Sequence, residues 1–407
     1  MKLVIIVFSL LLIPKAPISA QVPTPPIRAE QEDKKTKNNP HRIYWDEGLW
    51  ILGWHEKLRL KIGGQAQIDT AGFAGQEAQP GELEAGTEWR RARLYTNGTI
   101  HRRWSFKFQW DFVGGAALKD AWLQFAFKPF GKAVALRGGR FTTSFGLEND
   151  GSSSDGLFLE QGMTSAFVPP QETGVLLHSE SLNHRWDISF SSAASEFECL
   201  ICDVAGITGR YSTGINLGRK DRLLHLGGNY SRRWPDKPVK FSVRPESHLA
   251  PVFIDNVPIA ADRVDSGLVE AAFIQGPFSL QTEYAIAGVK PPNASSQIFD
   301  GFYIAGSYSL TGEMRRYREN IGTIRRIRPN RSLGDGSGGL GAFEVALRFS
   351  RIDLSGNSTK GEILKNLSFA LNWYPTHPSR VSFNLIRAHQ ETREPVWIFA
   401  LRLQLAF

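Results

Sequence analysis

The sequence predicts an all-β protein built as one large closed antiparallel sheet. Three observations carry this. An apolar/polar alternation of period two recurs along the chain, the connections between the alternating stretches are long and short in turn, and no later run approaches the eighteen or so apolar residues of a membrane helix. The last stretch shows the alternation most clearly. Counting back from Phe407, the residues Leu405, Leu403, Leu401, Phe399 and Trp397 share one face, while Gln404, Arg402, Ala400 and Ile398 share the other.

The N-terminus reads differently. Met1-Lys2, an apolar run from Leu3 to Ile13 and Ser19-Ala20 before Gln21 make the charged, apolar and small-residue regions of a signal peptide over residues 1–20. Residues 21–43, rich in Pro, Gln, Glu, Lys and Asn, predict a disordered segment, and the structured domain spans 44–407. The net charge of +8 bears on anionic partners and says nothing about fold. Nucleic acid is a poor partner for an exported chain. Cys199 and Cys202 form a C-x-x-C in an irregular segment. A loop disulfide is the reading, because a thioredoxin-type site needs a βαβ context and a zinc site needs more ligands.

From Lys57 onward the alternation predicts sixteen strands, near 57–72, 89–100, 103–113, 118–128, 132–141, 173–179, 185–192, 207–214, 223–233, 266–275, 278–288, 299–310, 342–352, 363–374, 380–389 and 396–407. In 103–113, Trp104, Phe106, Phe108, Trp110 and Phe112 share one face. Residues 239–245 are assigned to a loop hairpin, since single-chain barrels have an even strand count. A strand greasy on one side and wet on the other suits a half-exposed sheet or a lipid-facing barrel with a watery lumen. Connection lengths decide for the barrel: 73–88, 142–172, 193–206 and 234–265 are long, whereas 101–102, 129–131, 180–184 and 276–277 are short. A soluble sandwich or secreted adhesin leaves that alternation unexplained. One connection breaks it, the arginine-rich 311–341 on the short side. It reads either as a solvated basic loop or as a vestibule that attracts anions.

Several stretches carry a resemblance: 89-WRRARL-94, 118-LKDAWLQF-125, 138-GGRFTTSFGLE-148, 224-LHLGGNYSRR-233, 243-VRPESHLAP-251, 276-GPFSLQTEY-284, 309-SLTGE-313 and 371-LNWY-374. In this order they resemble the phosphate-selective porin O and P family over nearly the whole mature chain. The resemblance implies a sixteen-stranded homotrimeric barrel embedded in outer-membrane lipid of a Gram-negative bacterium, a third loop folded inward, and uptake of inorganic anions. It also implies that Phe407 signals to the barrel-assembly machinery.

Conduction needs a water-filled path with a field rather than a nucleophile. The nine histidines are scattered, with no H-E-x-x-H and no G-x-S-x-G, so no catalytic residue, metal site or cofactor is assigned. Parity places Arg91, Arg93, Lys107, Arg348 and Arg402 on the wet face, and Arg137 and Arg140 stand at the entry to the long loop 142–172, read as the constriction loop. That loop, Phe141 to Glu172, lacks Lys and Arg but carries Glu148, Asp150, Asp155, Glu160 and Glu172. Its acids either set up a field against basic walls or pin the loop by pairing with wall arginines.

The chain also departs from the family pattern. Asn149 follows 145-FGLE-148 where the family has a lysine, 63-GGQ-65 stands for G-G-R, and only Arg244 remains of the run after 243-VRP-245, with Glu246 next. An anion-preferring or weakly selective pore with weak phosphate binding is expected. The alternatives are a general porin for small hydrophilic solutes and a barrel-embedded hydrolase.

Overall fold

Alternation of period two can bury or expose a whole face only in an extended chain, and the sixteen predicted stretches are strands. The computed structural model describes residues 42–53, 57–75, 83–179, 184–192, 204–218, 221–256, 258–336, 338–356 and 363–407. The signal-peptide reading, residues 21–41 of the predicted disordered segment and the Cys199/Cys202 pair lie outside the described residues. The first described strand starts at Arg42, two residues before the boundary drawn from sequence.

A hairpin of β1 (Arg42–Trp45) and β2 (Leu49–Gly53) leads into β3 (Leu58–Ala74), β4 (Gly86–Ile100), β5 (Trp104–Asp111), β6 (Ala117–Phe127), β7 (Val134–Phe141), β8 (Glu172–Ser179) and β9 (His184–Ser192). Then come β10 (Val204–Asn216), β11 (Arg222–Arg233), the short β12 (Ser242–Val243) and β13 (Ile254–Asp255), β14 (Arg263–Gln275), β15 (Phe278–Lys290) and β16 (Gln297–Ser309). The short β17 (Arg316–Arg318) and β18 (Thr323–Arg325) precede β19 (Ala342–Asp353), β20 (Ile363–Tyr374), β21 (Ser379–Gln390) and β22 (Val396–Ala406).

Consecutive long strands pair antiparallel, and β22 closes on β3 from Trp397 opposite Ala74 to Ala406 opposite Gln65. Sixteen strands thus form a barrel with no free edge, which removes the unpaired backbone groups that hydrocarbon would penalise. Phe407 completes the seam: its N–H donates to the Gly64 carbonyl at 3.0 Å, it accepts from the Gly64 N–H at 2.9 Å and its ring stacks on Trp45 at 5.6 Å.

The two faces separate as the alternation requires. Leu401, Leu403 and Leu405 are exposed on the outside, while Arg402 and Gln404 between them are buried inside. Outward aromatics on β5, Trp104, Phe108 and Trp110, belong to the same band. One irregularity interrupts the pairing. Between β3 and β4 the register runs Gln67 opposite Arg91 and then Ile68 opposite Trp89, so Arg90 is an extra, unpaired residue of a β-bulge.

Three connections fill much of the lumen. Phe145, Met163 and Phe167 from the β7–β8 connection pack with Phe241 and Phe253 from the β11–β14 connection, against inward residues such as Leu268, Phe299 and Ile352. Each side chain of this size contributes about 1.5–3 kcal/mol on burial, enough for several together to hold both connections in place. The β12–β13 ladder and a bridge of Val239 to Ile259 give the second of them its hairpin.

The third comes from the end bearing the chain termini. The β17–β18 hairpin sits against inner-face groups: Arg185 donates to the Asn320 carbonyl at 2.8 Å, Arg210 to the Ile321 carbonyl at 3.0 Å, and Tyr317 Oη contacts His225 Nδ1 at 2.7 Å. Gly214 on β10 makes room for it, because a Cβ there would lie 2.5 Å from the Tyr317 ring. The solvated-loop reading of 311–341 therefore gives way: hydrogen bonds to the wall take its central hairpin inside.

Candidate functional site

The walls supply guanidiniums and the β7–β8 connection supplies carboxylates. Glu283 on β15 starts the arrangement by accepting the backbone N–H groups of Leu147 and Glu148 and the Thr164 hydroxyl at 3.2 Å, which fixes the loop's first turn. Glu148 then reaches Arg348 at 3.9 Å and accepts the Gly162 N–H at 2.7 Å. Asp150 pairs with Arg210 at 3.0 Å, and Asp155 with Arg325 at 3.5 Å. Asn149, in the place of the family's lysine, turns its amide back onto the Thr143 carbonyl at 3.0 Å.

Glu160 is held most tightly. Its carboxylate accepts Arg90 Nε at 2.8 Å and Nη2 at 2.9 Å, lies 2.8 Å from Arg402 Nη2 and stands 3.6 Å from Arg91 Nη2. Each of these four acids thus faces a wall or hairpin arginine, so pinning describes the loop better than a free acidic rim. Burial has opposite outcomes along it. It pushes the Asp150 carboxyl up to about 6, with Arg210 only partly offsetting it. It would raise Glu160 too, yet Arg91 and Arg90 hold that carboxyl well below its ordinary range.

The basic residues picked out by parity meet different fates. Arg348 and Arg402 do face inward, but both are fully buried beneath the loop. Arg348 pairs with Glu246 at 2.8 Å and donates to the Glu160 carbonyl at 3.1 Å; Arg402 is bidentate to Asp69 at 2.6 Å. A side chain covered in this way anchors the loop instead of lining a water path, and that corrects the pore-lining reading for these two. Arg140 differs as well. The register gives it the face of Leu136 and Gly138, opposite to Arg137, and its Nε donates to the Leu118 carbonyl at 3.1 Å. Arg244 is exposed on the β11–β14 connection, donating to the His248 carbonyl at 3.2 Å.

Four basic side chains stay partly exposed on the inner face of β4, β5 and β7. Arg91 donates to Gln67 at 2.6 Å, Arg93 pairs with Asp111 at 2.8 Å and Lys107 with Asp120 at 2.8 Å. Arg137 donates to Gln124 at 2.8 Å and stacks 4.0 Å over the Trp122 ring. The inner faces of β19 to β22 are instead buried almost throughout. Toward the chain-termini end, Arg325 and Arg328 pair with Glu47, while among the described residues Arg316 and Arg318 make no ion pair.

Some participants escaped the sequence. Arg90 has the wrong parity for the lumen and enters only because the bulge adds a residue. Glu246 was read as a break in a basic run; it is a buried partner that also accepts Ser350 at 2.6 Å and Ser368 at 3.1 Å. Loop residues carry no alternation, so nothing local could have assigned it.

A closed sixteen-stranded barrel with an apolar outer band and a charged interior crossed by inward loops is the architecture of a porin. Residues 60–407 match the family phosphate-selective porin O and P, and the chain belongs to that family. It is 23% identical over 395 residues to Porin O of Pseudomonas aeruginosa, covering 84% of this chain and 85% of that one. Among solved structures, the anion-selective porin from Comamonas acidovorans aligns with a TM-score of 0.53 at 10% identity, covering 86% of this chain and 100% of that chain. The outer membrane channel DcaP of Acinetobacter baumannii aligns with a TM-score of 0.54 at 9% identity, covering 86% of this chain and 97% of that chain. These two likenesses concern the fold alone.

Proposed function

We propose that the protein is a homotrimeric outer-membrane channel for small inorganic anions that binds phosphate more weakly than the family's name implies. In this reading residues 1–20 are cleaved on export, both ends of the barrel chain face the periplasm, and Phe407 is the signal read by the barrel-assembly machinery. The carrying observation is the strip of partly exposed basic side chains on β4, β5 and β7, Arg91, Arg93, Lys107 and Arg137, continued toward the chain-termini end by Arg316 and Arg318. Such a strip raises the local concentration of anions, and a constriction comparable with the Debye length of about 8 Å leaves it only partly screened.

Weak phosphate binding is supported by how the arginines are occupied. A desolvated phosphate needs several charge-assisted donors at once. Here Arg90, Arg348 and Arg402 are already bonded to carboxylates, and Asn149 brings no charge. The chemistry asked of the protein is conduction, and family and fold point to a channel rather than an enzyme. Planar-bilayer recording tests the proposal: a KCl gradient should give an anion-preferring reversal potential, and inorganic phosphate should block chloride current only weakly. Block at micromolar phosphate would contradict the weak-binding part.

A further inference from the structure

The Glu160 site has the form of an oxyanion cradle whose occupant is part of the chain. Three guanidiniums converge on a single carboxylate, those of Arg90, Arg91 and Arg402. Two of them are held independently of Glu160, while Arg90 bonds Glu160 through Nε and Nη2. Arg402 is fixed by its two bonds to Asp69 and a further one to the Leu159 carbonyl at 2.5 Å, Arg91 by Gln67, and Arg90 is aimed inward by the bulge. Such a bulge redirects a side chain that regular pairing would have sent to the outer face.

The fit of the present occupant is incomplete. A carboxylate has two oxygens, and both are used, by Arg90 and Arg402 on one and by Arg90 on the other. Arg91 reaches only to 3.6 Å, and its buried Nε has no hydrogen-bond partner among the described residues. An anion with a third and fourth oxygen offers Arg91 Nη2 an acceptor where the carboxylate, its two oxygens taken by Arg90 and Arg402, comes only to 3.6 Å. Beside the carboxylate is a hollow of about 10 Å³, lined by Asp69, Thr70, Ser247 and His248 among others, which is room for about one water.

We infer that Glu160 is a tethered surrogate anion: it occupies a preformed arginine cradle suited to a tetrahedral oxyanion of the phosphate class, and by filling it sets the channel's low phosphate affinity. The inference rests on the anion-channel reading and identifies the side chain that limits specificity. With Glu160 ionised, the three guanidiniums and Asp69 leave one positive charge in surplus; without it they leave two. The residue thus controls both whether the cradle is vacant and how strongly it attracts.

The test compares wild type, Glu160→Ala, Asp155→Asn and the double variant Glu160→Ala with Arg90→Gln, using inorganic phosphate against chloride current in planar bilayers. Glu160→Ala vacates the cradle, whereas Asp155→Asn removes the same charge from the same loop and leaves the cradle filled. A saturable phosphate block is expected in Glu160→Ala, about tenfold tighter than in wild type. The tightening should be absent in Asp155→Asn, where phosphate should block as weakly as in wild type, and should be abolished by the added Arg90→Gln. Propionate, which returns a carboxylate to the vacancy, should compete with phosphate. If Glu160→Ala inserts poorly, thermal unfolding of the detergent-purified protein reads the same site, and phosphate should raise its midpoint while leaving that of wild type unchanged.

Equal block in the two single variants would replace the cradle with a diffuse charge effect. Tight block already present in wild type would overturn the inference, as would an absence of both block and phosphate-dependent stabilisation. Cation preference in wild type would instead sink the anion-channel reading, so the two failures are distinguishable.

Discussion

Arg402 and Leu403 are consecutive residues with opposite surroundings, the first buried among carboxylates and the second 51% exposed on the outer face. Period two alone sends them apart, and this makes the outer face testable one side chain at a time. Leu403→Arg places a charge against hydrocarbon and should cost about 2–4 kcal/mol if the position lies near the midplane. The expected result is a lower folded yield in lipid, seen by heat-dependent gel mobility, with Leu403→Ile unaffected. Equal yields for the two would reverse the face assignment.

Asp150 gives a second prediction at this scale. Its carboxyl is pushed up to about 6 by burial, so the folded protein takes up a proton there more readily than the unfolded chain does. The sign follows: the cost of burying the ionised group is present above pH 6 and is relieved as pH falls through that value. Mild acid should therefore not loosen the loop through this residue. It should remove one negative charge beside Arg210, which keeps Glu270 at 2.7 Å, and so move the reversal potential only slightly toward anion preference between about pH 7 and 5. Asp150→Asn should lose that movement; retaining it would place the titration elsewhere.

Among the elements, the long strands were legible because each carries its own alternation, and the predicted and observed limits of all sixteen agree within about three residues. The inward connections were not. Packing of Phe145 and Phe167 against Phe241 joins residues of separate connections, far apart in the chain, with no period to announce it. The bulge misled parity at Arg90, and the hairpin at 316–325 looked solvated because its partners are distant in sequence: wall Arg185 and Arg210 donate to its carbonyls, and Arg325 bonds Glu47 in the first turn. Parity accordingly agrees with the inner-face position of Arg91, Arg93 and Lys107 on regular wall, while for Arg348 and Arg402 it could not announce the loop that covers them.

The hairpin yields its own prediction. Gly214→Val would drive a side chain into the Tyr317 ring, which already lies 2.5 Å from the position of a Cβ there. The barrel strand itself tolerates valine, so the hairpin should give way, breaking the Tyr317 contact to His225. Single-channel conductance should rise with folding intact. Unchanged conductance in a folded variant would mean that the hairpin does not narrow the path.

At the scale of the whole molecule, closure of β22 on β3 removes every long edge, and an apolar exterior with a charged, partly covered interior leaves conduction through the lumen as the function the architecture serves. Assembly as a trimer is expected to appear in native mass and crosslinking, and a conducting monomer would contradict it. The central claim is that the basic strip on β4, β5 and β7, and not the pinned acids of the β7–β8 connection, sets the field an ion meets. Reversal potential in a KCl gradient at neutral pH tests it most directly. A potential displaced toward the chloride equilibrium value is the predicted result, and displacement toward that of potassium would contradict the account.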